Sequence, residues 1–361
     1  METVVYKIEE TEENVWLHAA GDVLAAGGLV AIPTETVYGL AADALDEEAA
    51  ARIYKAKGRP SDNPLIVHIA DLEDIRELVS ELPEKAVKLA EAFWPGPLTM
   101  ILPKSEKVPY GTTGGLDTVA IRMPSHPTAR KLIQTTGIPL AAPSANTSGR
   151  PSPTKAEHVL EDLDGKIDMV LDDGPVGIGI ESTIVDLSGS QPMILRPGYI
   201  TKAMLEEVIG QVMIDPAILD ENVNKDFKPK APGMKYKHYA PKGDLTIVVG
   251  ESGPVIDEIR KLTDEKRKAG FKVGIIATDE TRHAYDDEGD GVSVMSIGTR
   301  KDENTITHNL YDILRQMDRE AVDYIYSESF EEGNRGQAIM NRLLKAAGHH
   351  CIYVNERTEV R

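Results

Sequence analysis

The chain has 361 residues, enough for two domains, and its 41% hydrophobic and 27% charged residues suit an ordinary globular protein with packed cores. A formal net charge of -19, shared by both halves, repels phosphate backbones in bulk and excludes tight nonspecific nucleic-acid binding, while leaving room for a local basic pocket. The single cysteine, Cys351, excludes an intrachain disulfide; with no signal-peptide pattern and no apolar run of about 18 residues, the expected location is the cytoplasm, with no membrane partner.

Short aliphatic runs bounded by Gly, Pro or Asp predict strands at Leu29–Pro33, Leu65–Ile69, Leu98–Pro103, Thr118–Met123 and Ser182–Asp186. Apolar residues at helical spacing predict helices over Glu48–Lys57, Pro83–Phe93 and Pro127–Gln134. Thr154 followed by Glu157 reads as a capping box, with Thr154 as N-cap of a further helix. These elements predict an α/β domain over residues 1–210. From 211 to 241 periodicity is lost, and a stretch rich in Pro and Lys reads as a linker ending in Met234-Lys-Tyr-Lys-His-Tyr-Ala-Pro241. Residues 242–361 resume the alternation. Strands are expected at Leu245–Val249, Val273–Ala277, Val292–Ile297 and Ala321–Tyr326, and helices at Val255–Lys268, Ile306–Met317 and Ala338–Ala347. That order predicts a smaller Rossmann-like α/β domain with a parallel sheet.

No phosphate-binding P-loop, no dinucleotide fingerprint and no clustered Cys/His metal pattern is present. Gly174–Gly179 is glycine-rich but precedes a strand, so it reads as a flexible loop, and Phe330–Gly336 reads as a surface turn. Polar clusters gather instead at predicted strand ends of the first domain. Pro33–Gly39 supplies hydroxyls, and Lys57-Gly-Arg59 with Asn63 supplies two cations suited to phosphate. Each alone is equally an ordinary strand exit or a solvated basic helix end. His68 lies inside an apolar strand, as structural histidines often do, while Arg122 in another apolar strand demands a partner or an anionic ligand. Ser144, Asn146 and Ser152 follow a strand, and Ser182 and Arg196 add a hydroxyl and a further cation. A cleft collecting Lys57, Arg59, Arg122 and Arg196 within an acidic protein would select a small anion, such as a nucleoside triphosphate with a carboxylate co-substrate.

At these residues the chain resembles the YrdC-type threonylcarbamoyl-adenylate synthases in their long form, with an added C-terminal domain. The split K-x-R…S-x-N signature stands as Lys57-Gly-Arg59 and Ser144-Ala-Asn146, within blocks PTETVYGLAADA, NPLIVHIAD, FWPGPLTMIL, GGLDTVAIRMP, APSANTSGRPSPT and ESTIVDLS. The resemblance implies a twisted open sheet with helices, joined by a linker lying over the active site to the Rossmann-like domain. It implies a nucleotidyltransferase making threonylcarbamoyl-AMP and pyrophosphate from L-threonine, bicarbonate and ATP, with Mg²⁺ carried on the ATP phosphates and no protein-held metal. Thr36, His68, Arg122, Ala142 (through its backbone) and Ser182 would bind threonine. Lys57, Arg59, Asn63, Thr118, Ser144, Asn146, Ser152, Arg196 and Tyr236 would hold ATP, with Lys57 and Arg59 as the catalytic cations. A partner enzyme or complex would transfer the threonylcarbamoyl group to tRNA, the chain itself making at most weak RNA contact. Two alternatives stand beside this reading: a carbamoyl-adenylate former of the hydrogenase-maturation type, whose zinc-finger and acylphosphatase regions this chain lacks, and an RNA-binding or assembly factor using the basic cleft.

Overall fold

Small and branched aliphatic residues, broken every few positions by Gly, Pro or Asp, give this chain many short strands instead of few long ones. The structure is a computed structural model describing residues 2–218, 229–232, 238–286, 288–330 and 335–354. It divides into one unit of residues 1–148 with 152–236 and a second of residues 149–151 with 237–361.

The first unit is built on an eleven-stranded sheet. Its strands are β1 (Val4–Lys7), β2 (Val30–Ile32), β3 (Gly39–Asp43), β4 (Ile66–His68), β5 (Leu98–Pro103), β6 (Thr118–Arg122), β7 (Leu140–Ala141), β8 (Met169–Asp172), β9 (Thr183–Asp186), β10 (Met193–Arg196) and β11 (Met213–Ile214). They lie in the order β1-β8-β2-β3-β7-β4-β6-β5-β9-β10-β11, with parallel and antiparallel neighbours mixed. In the middle of the sheet, register sets Leu140, His68, Arg122, Thr99 and Ile184 side by side in one row. Because side chains alternate between faces, the next row sends Val67, Ile121, Met100 and Val185 into the main core on the other side. The face bearing His68 and Arg122 carries an apolar floor of Ile66, Ala120, Ile101 and Ile184, joined by Ala231.

The helix Glu47–Lys57 shows how local sequence aims a site residue. Asp46 caps it by accepting the Glu48 amide at 2.9 Å, and Ala49, Ala50, Ile53 and Tyr54 face the core. Gly58 ends it in the left-handed region at φ 61°, a conformation that suits glycine. The chain reverses there, so Lys57 and Arg59 are both turned inward and buried. The capping box expected at Thr154 and Glu157 is corrected: the helix is Ala156–Leu163, its N-cap is Lys155, and no side chain caps it. The Thr154 amide donates to Nδ1 of buried His158 at 3.2 Å instead, so the histidine ring does the work expected of the box.

The second unit holds a five-stranded, all-parallel sheet of β12 (Asp244–Val249), β13 (Val273–Ala277), β14 (Val292–Ser296), β15 (Tyr324–Glu328) and β16 (Cys351–Tyr353), ordered β14-β13-β15-β12-β16. Helices Ser252–Lys268, Glu303–Arg319 and Gly336–Ala346 alternate with the strands, which is the Rossmann-like pattern the sequence predicts. The strand expected at Ala321–Tyr326 begins later, at Tyr324. The preceding helix runs to Arg319 and the chain then turns through Ala321 in the left-handed region at φ 53°. Residues 149–151 pack within this unit: fully buried Arg315 donates to the Pro151 carbonyl at 2.6 Å, and Arg150 pairs with Asp318 at 2.9 Å.

Candidate active site

The connection from β2 to β3 is a loop shaped by its own hydroxyls. Thr34 Oγ1 donates to the Val37 carbonyl at 2.7 Å and accepts the Thr36 amide at 3.2 Å. The glycine-rich stretch 174–179 then clamps this loop, the Ile178 amide donating to the Glu35 carbonyl at 2.8 Å and the Gly179 amide to the Thr36 carbonyl at 3.1 Å. Gly179 has φ 90°, so a glycine is needed there. The stretch that reads as a flexible loop is therefore a brace, and it turns Glu35 and Thr36 toward Arg122.

Arg122 ends β6 and is 4% exposed. Its Nη1 donates to Thr36 Oγ1 at 2.9 Å, and Nη2 lies 2.8 Å from Glu35 Oε1 in a buried ion pair. The Nε–H group has no hydrogen-bond partner. Burial alone would raise the Glu35 carboxyl, but the Arg122 charge, with hydrogen bonds from Arg122 and from the Glu35 and Ser125 backbone, outweighs it and holds the group below the ordinary range, so it stays ionised. A buried arginine with its Nε–H open offers an edge on which a carboxylate can seat.

His68 sits beside Arg122 in the row and is 2% exposed. Burial, helped by the Arg122 charge, pushes its pKa down to about 3, so the ring is neutral. Its Nδ1 donates to the Ile66 carbonyl at 3.1 Å, which fixes the ring beside Arg122. On the other side of Arg122, Thr99 Oγ1 meets Ser182 Oγ at 2.7 Å. Arg196 grips the same serine twice, Nε on its carbonyl at 3.0 Å and Nη2 on its hydroxyl at 3.1 Å. A Cβ at Gly198 would come within 2.5 Å of the Thr183 amide nitrogen and 2.8 Å of the Glu181 carbonyl, so glycine is required for this close approach.

Lys57 Nζ donates to the carbonyls of Ser144 and Asn146, each at 2.5 Å, and the Ser148 amide donates back to the Lys57 carbonyl at 2.9 Å. Arg59 gathers the neighbouring loop, Nε donating to the Asn63 carbonyl at 3.2 Å and Nη2 to that of Pro64 at 3.0 Å. Gly39 bridges to Ser144 and packs close to Ala142, which brings the β2–β3 loop and the Ser144–Asn146 segment together. Ser152 Oγ donates to Glu181 Oε1 at 2.5 Å, tying it to the residue before Ser182.

Four of the five residues expected at threonine form one connected group, with Thr36 on Arg122, His68 beside it and Ser182 reached through Thr99, while Ala142 packs against Gly39. Lys57, Ser144 and Asn146 form a second group around a shared cation, with Arg59 and Asn63 beside it. Thr118 opens β6 at the end away from Arg122, about 13 Å along the strand, and Tyr236 lies outside the described residues. Glu35 and Thr99 line the site without standing out in the sequence. The signal for Glu35 was present, since a buried arginine needs a counter-charge, but nothing in a linear reading pairs residues 35 and 122.

Both parts of the chain match known families. Residues 22–198 match a family described as "Telomere recombination", and residues 200–348 match one described as "Threonylcarbamoyl-AMP synthase, C-terminal domain". The threonylcarbamoyl-AMP synthase of Pyrococcus abyssi is 48% identical over 352 residues, covering 98% of this chain and 100% of that protein. That of Bacillus subtilis is 47% identical over 357 residues, with 98% and 100% covered. The chain belongs to the threonylcarbamoyl-AMP synthase family. Its fold matches the crystal structure of P. abyssi Sua5 complexed with L-threonine at a TM-score of 0.90 and 46% identity, over 98% of this chain and 100% of that one. The relationship to this family thus spans both units and is not confined to the sheet that carries the candidate site.

Proposed function

We propose that this chain is an L-threonylcarbamoyladenylate synthase, a nucleotidyltransferase that forms threonylcarbamoyl-AMP and pyrophosphate from L-threonine, bicarbonate and ATP. The observation that carries the reading is Arg122, a buried guanidinium with an open Nε–H edge, set between neutral His68 and Thr99, whose hydroxyl meets that of Ser182. That set offers a carboxylate fork with hydroxyl-recognising groups around it, the chemistry of a small hydroxylated amino acid. A TM-score of 0.90 to a protein complexed with L-threonine supports the same assignment.

In this reading Thr36, His68, Arg122, the Ala142 backbone and Ser182 bind threonine. Lys57, Arg59, Asn63, Thr118, Ser144, Asn146, Ser152, Arg196 and Tyr236 hold ATP. The threonine amine attacks bicarbonate, forming the N–C bond of an N-carboxy intermediate with loss of water. The new carboxylate attacks the α-phosphorus of ATP, and the bond to the β-phosphate oxygen breaks to release pyrophosphate. No protein nucleophile takes part. Lys57 and Arg59 are the catalytic cations: held in place by main-chain carbonyls, they offer fixed positive charge where the phosphates gain negative charge, with little reorganisation in the reaction. Mg²⁺ would be carried by the ATP phosphates, and the groups assigned to ATP are cations and neutral donors, which fit phosphate oxygens.

The domains we assign are a catalytic domain over 1–210, a linker over 211–241 lying across the site, and a C-terminal domain over 242–361. Ala231 in the apolar floor of the site face, and Lys230 paired with Asp186 at 3.3 Å, support the position of the linker. No helix among the described residues is long and apolar enough to cross a membrane, and we assign the enzyme to the cytoplasm, where a partner enzyme transfers the threonylcarbamoyl group to tRNA. Pyrophosphate release from ATP, compared with threonine, serine and no amino acid, tests the function. Release that requires both threonine and bicarbonate is expected, and threonine-independent release would sink the assignment.

A further inference from the structure

Arg122 is buried with its Nε–H open, and its Nη2 lies against the Glu35 carboxylate. The Nε–H and one of the two Nη2–H groups face the same side of the guanidinium, where a carboxylate is taken bidentately. Glu35 Oε1 already lies 2.8 Å from Nη2, so a second carboxylate sits at the edge of that fork. The α-nitrogen of an amino acid lies about 2.5 Å from its own carboxylate carbon, two bonds away. A ligand carboxylate seated on the fork therefore brings its ammonium toward the Glu35 carboxylate. The charge order of the site, cation then anion, is the complement of a zwitterion.

We propose that Glu35 is a specificity-determining residue that binds the α-ammonium group of the amino-acid substrate, so that the Arg122–Glu35 pair reads a free amino acid and not a simple hydroxy acid. This rests on the assignment of Arg122 to the substrate carboxylate. The surroundings favour that role. His68 is neutral, and burial lowers the pKa of His126, whose Nδ1 is also open, so neither ring competes as a cation. Asp173, 4.0 Å from His126 Nε2, is the further carboxylate on that side. The proton that the amine sheds before attack is not assigned to Glu35, because a carboxylate held firmly ionised is a poor base.

The test is calorimetric binding of L-threonine and of 3-hydroxybutyrate, its analogue without the amino group, to the full chain and to Glu35→Gln and Glu35→Asp. The wild-type chain is expected to prefer threonine by tenfold or more. Glu35→Gln is expected to erase at least tenfold of that preference while binding the analogue as tightly as before or more tightly, since the carboxylate charge that repels it is gone. Retained analogue binding also shows that the variant is folded; should Glu35→Gln not fold, Glu35→Asp is expected to show the same change in part. Equal weakening for both ligands would mean that Glu35 acts only by orienting Arg122, and unaltered threonine affinity would mean that it binds nothing; either overturns the proposal. Binding of neither ligand by the wild-type chain would instead overturn the amino-acid site itself.

Discussion

Lys57 Nζ and the Ser144 carbonyl lie 2.5 Å apart, and the same ammonium reaches the Asn146 carbonyl at the same distance. One buried cation thus ties the end of a helix to a loop 87 residues later in the chain. Removing it leaves two carbonyls without a donor and the loop without its fixed charge. Lys57→Ala is expected to lose about 2 to 4 kcal/mol of stability and to slow pyrophosphate release by about 100-fold or more. Urea unfolding and initial-rate assays at saturating threonine check the two effects separately.

Arg122 and Glu35 form a buried pair, so each protects the other from lying uncompensated in the interior. Arg122→Gln alone is expected to cost about 3 to 5 kcal/mol. Adding Glu35→Gln is expected to recover much of that stability and none of the threonine binding. Unfolding of the two single variants and the double variant closes the cycle. Simple additivity would show that the pair is not coupled.

Gly198 approaches the backbone of residues 181–183 too closely for a side chain. The atoms a Cβ would meet are main-chain atoms, which cannot swing aside. Gly198→Ala is expected to destabilise the protein by about 1 to 3 kcal/mol. It should weaken threonine binding as well, because Ser182 moves with its neighbours. A variant with wild-type melting and affinity would show that the contact relaxes without consequence.

His68 is pushed down to about 3 in the folded protein from an ordinary value of 6.5. Between these values the unfolded chain binds a proton there that the folded chain does not. Stability from this group is therefore complete above pH 6.5 and falls as the pH drops toward 3. The expected slope is about 1.4 kcal/mol per pH unit in that window. His68→Gln should flatten the profile by one proton, as urea unfolding at several pH values between 4 and 7 would show.

Strands β4, β5, β6 and β9 were legible because each is a short aliphatic run with a clear stop, and the observed bounds fall within a residue or so of the expected ones. The strands β1, β3 and β8 and the helix Glu13–Ala25 were not anticipated. The sequence of β3, Gly-Leu-Ala-Ala-Asp, has little β preference and is a strand because β2 and β7 pair with it. The isolated cations were visible, and Arg122 was rightly read as needing a partner. Its ion-pair partner was not visible, since Glu35 reaches it only when a glycine-rich brace from residues 178–179 holds its loop. Thr99 was hidden for the same reason: it becomes a neighbour of Ser182 through parallel pairing of β5 with β9, across 83 residues of sequence.

The most direct measurement is mass spectrometry of the product formed from ATP, L-threonine and ¹³C-bicarbonate. The account requires an adenylate that carries threonine and the labelled carbon together, released in step with pyrophosphate and lost in Lys57→Ala. A threonyl adenylate without the label, or AMP alone, would contradict it.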